Sequence, residues 1–377
     1  MSLPPVTLDL SGERLTASYL IQGDQAAARE VVDHLCVEQT IEFPADLVAD
    51  DDIRHGLIGQ LEQLRVLDHD ACVAEVSFAV EVSGFELPQL TNLLFGNISL
   101  LPGIRLMDVE LPTAVLRGFA GPRFGVGGLR RLLGADDRPL LATALKPMGL
   151  PLEELAAMAG DFAAEGMDLI KDDHSFASQP YAPFQQRVER CAAAVADAND
   201  RAGTSARYLP SLNVPADRLV EAAHAAVGAG AGGVMVLPGL HGYDAVRALA
   251  EDDELAVPIM GHPSLLGGWV ASPTAGIDHG LVFGTFMRLA GVDVSVFPNA
   301  RGRFAFTEDQ CRRIAGSLGA DLGGLRTAFP APAGGMTLER VPEMLDFYGR
   351  DVTLLIGGEL HRGDRRARTR ALREAVG

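Results

Sequence analysis

From Pro139 onward the chain alternates short apolar runs with loops and amphipathic stretches, the pattern of parallel strands joined by crossover helices. Eight such units can be counted, with strands expected at Leu140–Lys146, Leu169–Asp173, Tyr208–Asn213, Gly233–Leu237, Val257–Gly261, Val294–Phe297, Thr327–Pro330 and Val352–Ile356. In the first helical stretch Leu152, Leu155, Ala159 and Phe162 fall on one stripe, while Glu153, Glu154 and Asp161 lie off it. Eight units in ~240 residues predict an α/β fold of the (β/α)8 TIM-barrel type, whose chemistry lies where strands end and the following loops begin. Residues 1–136 read instead as a smaller α+β domain, with strands near Leu15–Ile21 and Cys72–Val82 and helices near Gln25–Cys36 and Leu87–Leu94. The Gly, Asp and Pro cluster GADDRP marks the boundary, giving domains 1–136 and 137–377.

A chain of 377 residues that is 47% hydrophobic and 22% charged can bury a large core. Its net charge of −18 repels phosphate backbones and anionic lipid heads, so neither nucleic acid nor membrane is expected as a partner. There is no run of ~20 apolar residues and no basic stretch leading into an apolar one, and a cytoplasmic protein is expected. Cys36, Cys72, Cys191 and Cys311 lack CxxC spacing and read as reduced core residues. Arg362, Arg365, Arg366 and Arg368 read as the solvated face of a last helix.

The basic residues change the picture. Of 32 Lys+Arg, only Lys146 and Lys171 are lysine. Lysine and arginine are nearly interchangeable as surface cations, but only an amine can lose its proton near neutral pH. Both lysines fall at predicted strand ends. Lys146 closes the first strand before Pro147, which biases it toward extended backbone and suits it to act as a proton-transferring base. Lys171 opens the run Lys-Asp-Asp-His at the end of the second strand, where alternation puts Lys171 and Asp173 on one face, Asp172 opposite, and His174 at the start of the loop. These groups lie within reach of one cation. Two readings of Lys171 stand: a buried ion pair with Asp173, or an amine that captures CO2 as a carbamate and so becomes an oxygen donor for a hard metal. His174 in such a set points away from magnesium and toward other divalent ions. His262 closes the fifth strand, Arg301 and Arg303 occupy the loop after the sixth, and the pairs Gly334-Gly335 and Gly357-Gly358 follow the seventh and eighth, where barrels bind phosphate through backbone N–H groups.

These residues carry a resemblance. The stretch GMDLIKDDHSFASQPYAPFQQR is similar to the second-strand segment of the RuBisCO large-chain superfamily, and LATALKPMGL resembles its first-strand TxKPKxGL. The chain is identified as a member of that superfamily, of the RuBisCO-like (form IV) type, and the likeness spans nearly its whole length. It implies a ferredoxin-like N-terminal α+β domain and a homodimer with active sites at the subunit interface. It further implies Mg2+ held by carbamylated Lys171 and Asp173, with His174 in place of a glutamate, and Lys146 as the base. The family's second lysine has no counterpart at Met148. Glu38 and Asn97 resemble family residues that act across the dimer interface on metal and substrate. Pro263 and Val296 replace two phosphate-contacting residues, whereas Gly334, Gly335, Gly357 and Gly358 match the remaining phosphate loops. Arg303 takes the place of the mobile-loop lysine, and phrases such as VFPNARGRFAF and GHPSLLGG resemble the enolase and isomerase branches.

One retained phosphate site implies a monophosphorylated ketose or keto sugar acid, enolised through a metal-stabilised enediolate. Catalysis is expected from Lys146, Lys171, His262 as proton relay and Arg303, in an isomerase or enolase that does not fix CO2. The alternatives are a decarboxylase of a phosphorylated 3-keto sugar acid, a residual carboxylase, and a non-catalytic sugar-phosphate-binding protein.

Overall fold

The computed structural model describes residues 8–48, 50–304 and 306–377; residues 1–7 of the expected N-terminal domain, and Ala49 and Ala305, the latter inside the phrase VFPNARGRFAF, lie outside the described residues. The described strands, in chain order, are β1 (Arg14–Gln22), β2 (Gln60–Asp68), β3 (Ala71–Ala79), β4 (Ile104–Glu110), β5 (Leu140–Leu145), β6 (Leu169–Asp172), β7 (Arg207–Leu209), β8 (Val234–Val236), β9 (Ile259–Gly261), β10 (Gly276–Ile277), β11 (Val294–Pro298), β12 (Phe329–Ala333) and β13 (Thr353–Leu355). They belong to two compact units. The first comprises residues 1–119, 266–282 and 321–325, and the second residues 120–265, 283–320 and 326–377.

The first unit is a five-stranded sheet ordered β10-β4-β1-β3-β2, antiparallel except for β10 beside β4. Leu15, Ala17, Tyr19 and Ile21 alternate onto the buried face of β1, and helix Gln25–Glu38 packs its Ala28, Val32, Leu35 and Cys36 on the strands. The pattern along β2 does not announce a strand, because this edge strand has no fully buried residue and so no apolar alternation.

In the second unit two parallel four-stranded sheets, β13-β5-β6-β7 and β12-β11-β9-β8, close into the expected eight-stranded barrel. A bridge between Ser211 and Met235 joins β7 to β8, and β12 runs beside β13. Among the described residues no ladder joins β12 to β13, and proline explains why. The Phe329 N–H points to β11, where it reaches Asp293 O at 2.8 Å, so residues 330 and 332 face β13, and both are proline with no N–H to give. Inward-facing Leu140, Leu169, Leu209, Met235, Met260, Val294 and Phe329 fill the interior, each worth roughly 1.5–3 kcal/mol when removed from water.

A single domain cut near Gly134–Arg138 does not describe the packing. Helix Gly125–Leu133 belongs with the barrel, because its Leu129 and Leu133 join the same apolar cluster as the strand residues. Two carboxylates bind the base. Asp168 takes Arg138 in a bidentate pair at 2.6 Å per bond and the Leu141 N–H at 2.8 Å. Asp293 accepts the N–H groups of Phe124, Gly125 and Ile259 at 2.9, 2.7 and 3.0 Å. All four cysteines are free and buried, and among the described residues no helix is long and apolar enough to cross a membrane.

Candidate active site

The site begins with the alternation of β6. Ile170 and Asp172 face outward while Leu169 and Lys171 face the barrel interior, where Lys171 lies beside Ala144 of β5 and is 3% exposed. Asp172 is anchored on the outer side by Tyr208 OH at 2.7 Å, Arg187 Nε at 3.1 Å and the Ser211 N–H at 3.1 Å. Three donors on one buried carboxylate hold the strand end still, and with it the two residues on either side. Lys171 Nζ donates to the Asp172 carbonyl at 2.9 Å.

Asp173 connects neighbouring strand ends. Its Oδ2 lies 3.1 Å from Lys146 Nζ, just past β5, and its Oδ1 lies 3.0 Å from His174 Nδ1. The His174 ring stacks on His262, which follows β9, with centroids 4.7 Å apart and planes 6° from parallel. His262 Nδ1 in turn meets Ser264 Oγ at 2.9 Å and the Ser264 backbone N–H at 3.3 Å. A methyl group added at Gly357 would sit 3.5–3.6 Å from the end of the Lys146 side chain, so the glycine loop after β13 runs alongside that amine.

The loop after β11 reaches the other glycine pair. Arg303 N–H donates to Gly334 O at 3.2 Å, and a Cβ at Gly302 would come within 2.2 Å of that same oxygen, so only glycine fits there. Gly334 and Gly335 adopt left-handed backbone at φ 89° and 78°. The Arg303 guanidinium lies over the Phe304 ring at 4.9 Å, whereas Arg301 turns away to Glu308 at 2.5 Å. Glu38 and Asn97 lie in the first unit and meet each other, with Asn97 Nδ2 donating to Glu38 Oε1 at 3.0 Å.

Electrostatics follow from this geometry. Burial pushes the Lys171 amine down to about 8, helped by the Lys146 charge and opposed by Asp173 and Asp172. At pH 7.5 roughly a quarter of such an amine is neutral, against ~0.1% of a free lysine. Burial alone would raise the Asp173 carboxyl, but the His174 hydrogen bond and the two ammonium groups outweigh it and hold the acid well below its usual range. The His262 ring is driven well below its ordinary value by burial and then by the charges of Lys171 and His174.

The donor set admits a divalent ion on one condition. Among the described residues no three His, Cys, Asp or Glu side chains converge, so Asp173 and His174 need a further donor. A carbamate on Lys171 would supply it. Asp173 Oδ1 and His174 Nδ1, 3.0 Å apart as hydrogen-bond partners, are close enough that both could face one ion once the shared proton is lost.

A family profile described as ribulose bisphosphate carboxylase large chain, catalytic domain, matches residues 125–376. The chain belongs to the RuBisCO large-chain family. Within it, 5-methylthioribulose-1-phosphate isomerase of Rhodospirillum rubrum is 38% identical over 92% of this chain and 91% of its own. Ribulose bisphosphate carboxylase-like protein 1 of Rhodopseudomonas palustris is 37% identical over 94% of each. The solved rubisco-like protein from Rhodopseudomonas palustris superposes with a TM-score of 0.88 at 35% identity, covering 97% of this chain and 98% of that one. The Rubisco of Pyrococcus horikoshii superposes at 0.90 with 27% identity, over 98% and 89%. This is a RuBisCO-like enzyme of the group whose members bear isomerase and enolase names.

In this RuBisCO-like protein the structure brings Lys146, Lys171, Asp173, His174 and His262 to one end of the barrel, with Gly357 alongside and Arg303 against Gly334. Val296 faces the packed interior at 1% exposure, where no phosphate can reach it. Three residues of consequence escape a reading by pattern. Ser264 contacts His262 only because the loop folds back, Gly302 is required by a neighbour thirty-two positions away, Gly334, and Tyr208 serves Asp172 from the adjacent strand. The phrases GHPS and NARGR contain the first two, but nothing in their local composition assigns a role.

Proposed function

We propose that this RuBisCO-like protein isomerises a monophosphorylated ketose by removing and returning a proton next to its carbonyl. The observation that carries the reading is Lys146, an amine at the mouth of β5 held 3.1 Å from Asp173 with the Gly357 loop beside it. A base so placed faces a substrate whose phosphate rests on a glycine loop. Gly334-Gly335 and Gly357-Gly358 offer backbone N–H groups to one phosphate, while Pro263 has no N–H to give and Val296 is packed in the barrel interior, which favours a substrate with no second phosphate. The 38% identity to the Rhodospirillum rubrum isomerase makes 5-methylthioribulose 1-phosphate the first substrate to try.

Lys171 as carbamate, Asp173 and His174 hold the metal, and His262 and Arg303 border the reacting atoms. A divalent ion in that place supplies Lewis-acid stabilisation of developing enediolate charge. Imidazole in the donor set favours an ion that accepts nitrogen, such as Mn2+, over Mg2+. Glu38 and Asn97 complete the site of a second copy in a homodimer. Incubation with 5-methylthioribulose 1-phosphate in deuterium oxide, with bicarbonate and Mn2+ or Mg2+, tests the reading. Deuterium incorporation beside the carbonyl, together with a new ketose phosphate, is the expected result; neither exchange nor product across a panel of ketose monophosphates would refute it.

A further inference from the structure

We propose that His262 presents Nε2–H to the substrate as a fixed hydrogen-bond donor, and that Ser264 is the positioning residue that selects this tautomer. The decisive group is a backbone N–H. The Ser264 amide lies 3.3 Å from His262 Nδ1 in donor geometry, and an amide N–H can only donate. Nδ1 therefore carries the lone pair. The Ser264 hydroxyl, 2.9 Å from the same nitrogen, donates to it as well, since a proton on Nδ1 would confront the amide. In a neutral imidazole one nitrogen bears the proton, so it resides on Nε2.

The ring cannot swing out of this arrangement easily. It is stacked on His174 at 4.7 Å and 6°, and both of its Nδ1 partners come from one residue two positions along the chain. A histidine acting as general base usually has the opposite wiring, with Nδ1–H held by a carboxylate or carbonyl and a bare Nε2 facing the substrate. Here the bare nitrogen is turned toward the protein. The remaining N–H is suited to a substrate oxygen that gains negative charge as Lys146 removes the proton, which makes His262 an electrophilic partner of the base.

The chemistry rests on the enolisation reading, but the tautomer does not, and the tests separate the two. In ligand-free protein labelled with 15N-histidine, the signals missing from a His262→Gln variant are assigned to His262. They should show a proton-bearing Nε2 and a bare Nδ1, and the reverse pattern overturns the proposal whatever the substrate proves to be. In turnover of 5-methylthioribulose 1-phosphate, glutamine places an N–H near the Nε2 position and asparagine near Nδ1. His262→Gln should lower kcat by about tenfold and His262→Asn by a further ~100-fold, the usual cost of losing one such donor. Equal loss in both overturns the donor role. Ser264→Ala, which keeps the backbone N–H, should hold the Nε2–H tautomer in the nitrogen spectrum while the loss of the second bond loosens the ring and lowers kcat roughly tenfold with KM little changed. A proton found on Nδ1 in that variant overturns the amide as the group that selects the tautomer. If wild type leaves this sugar phosphate untouched, the choice of substrate falls while the spectra still judge the tautomer.

Discussion

At Lys146 and Lys171 the same side chain has two different settings, and the difference accords with the separate roles proposed for them. Lys171 is 3% exposed and its amine titrates near 8, which suits capture of CO2, whereas Lys146 stands at the mouth with 37% of its side chain exposed and an ion pair to Asp173. Lys146→Arg should fold normally and lose at least about 1,000-fold in kcat, because a guanidinium keeps its proton; full turnover by that variant would exclude the base assignment. His174→Glu should shift metal preference toward Mg2+ by about tenfold relative to Mn2+, measured by calorimetry in bicarbonate. An unchanged ratio would remove His174 from the ligand set. These residues were legible in the sequence because a strand has period two: Lys171 and Asp173 share a face and Asp172 opposes them. Ser264 was not legible, because its contact with His262 depends on the turn of a loop that has no period.

Elements show a similar division. Seven of the eight barrel strands occur where alternation of apolar runs and helices placed them, mostly shortened at the ends, since strand ends are set by hydrogen bonding that composition does not encode. The seventh is displaced, from Thr327–Pro330 to Phe329–Ala333, because its prolines disguise a central strand. Helix Gly125–Leu133 plugs the barrel base through Asp293, whose burial, against the N–H groups of Gly125, Ile259 and Phe124, pushes its carboxyl up to about 6. Between the ordinary acid value of ~3.9 and about 6 the native state holds more protons than the unfolded chain, so this group's contribution to stability falls as pH rises through that window. Wild type should therefore lose about 2 kcal/mol relative to Asp293→Asn between pH 4 and 6 in denaturant titrations, a slope absent if the carboxyl is ionised throughout. Gly302→Ala, which drives a methyl into Gly334 O, should displace the loop carrying Arg303 and raise KM for a sugar phosphate by roughly tenfold or more while leaving thermal stability nearly unchanged. An unaltered KM would detach that loop from substrate binding.

For the whole molecule, the distribution of residues between two units bears on assembly. Glu38 and Asn97 form a pair in the first unit, and the lysines and histidines lie in the second. If a homodimer combines one copy's pair with the other's barrel, Lys146→Arg and Asn97→Ala chains, each nearly inactive alone, should recover about a quarter of wild-type activity when co-expressed in equal amounts, through mixed dimers with one intact site. No recovery in demonstrated mixed dimers would place both groups in sites of a single chain. The scarcity of primary amines has a practical corollary. With every other basic side chain an arginine, and with Lys171 shut inside the barrel, a mild acylating reagent has one accessible ε-amine in the entire protein. A dye or crosslinker attached through it would report from the mouth of the barrel alone, and a bound sugar phosphate would register as protection from labelling.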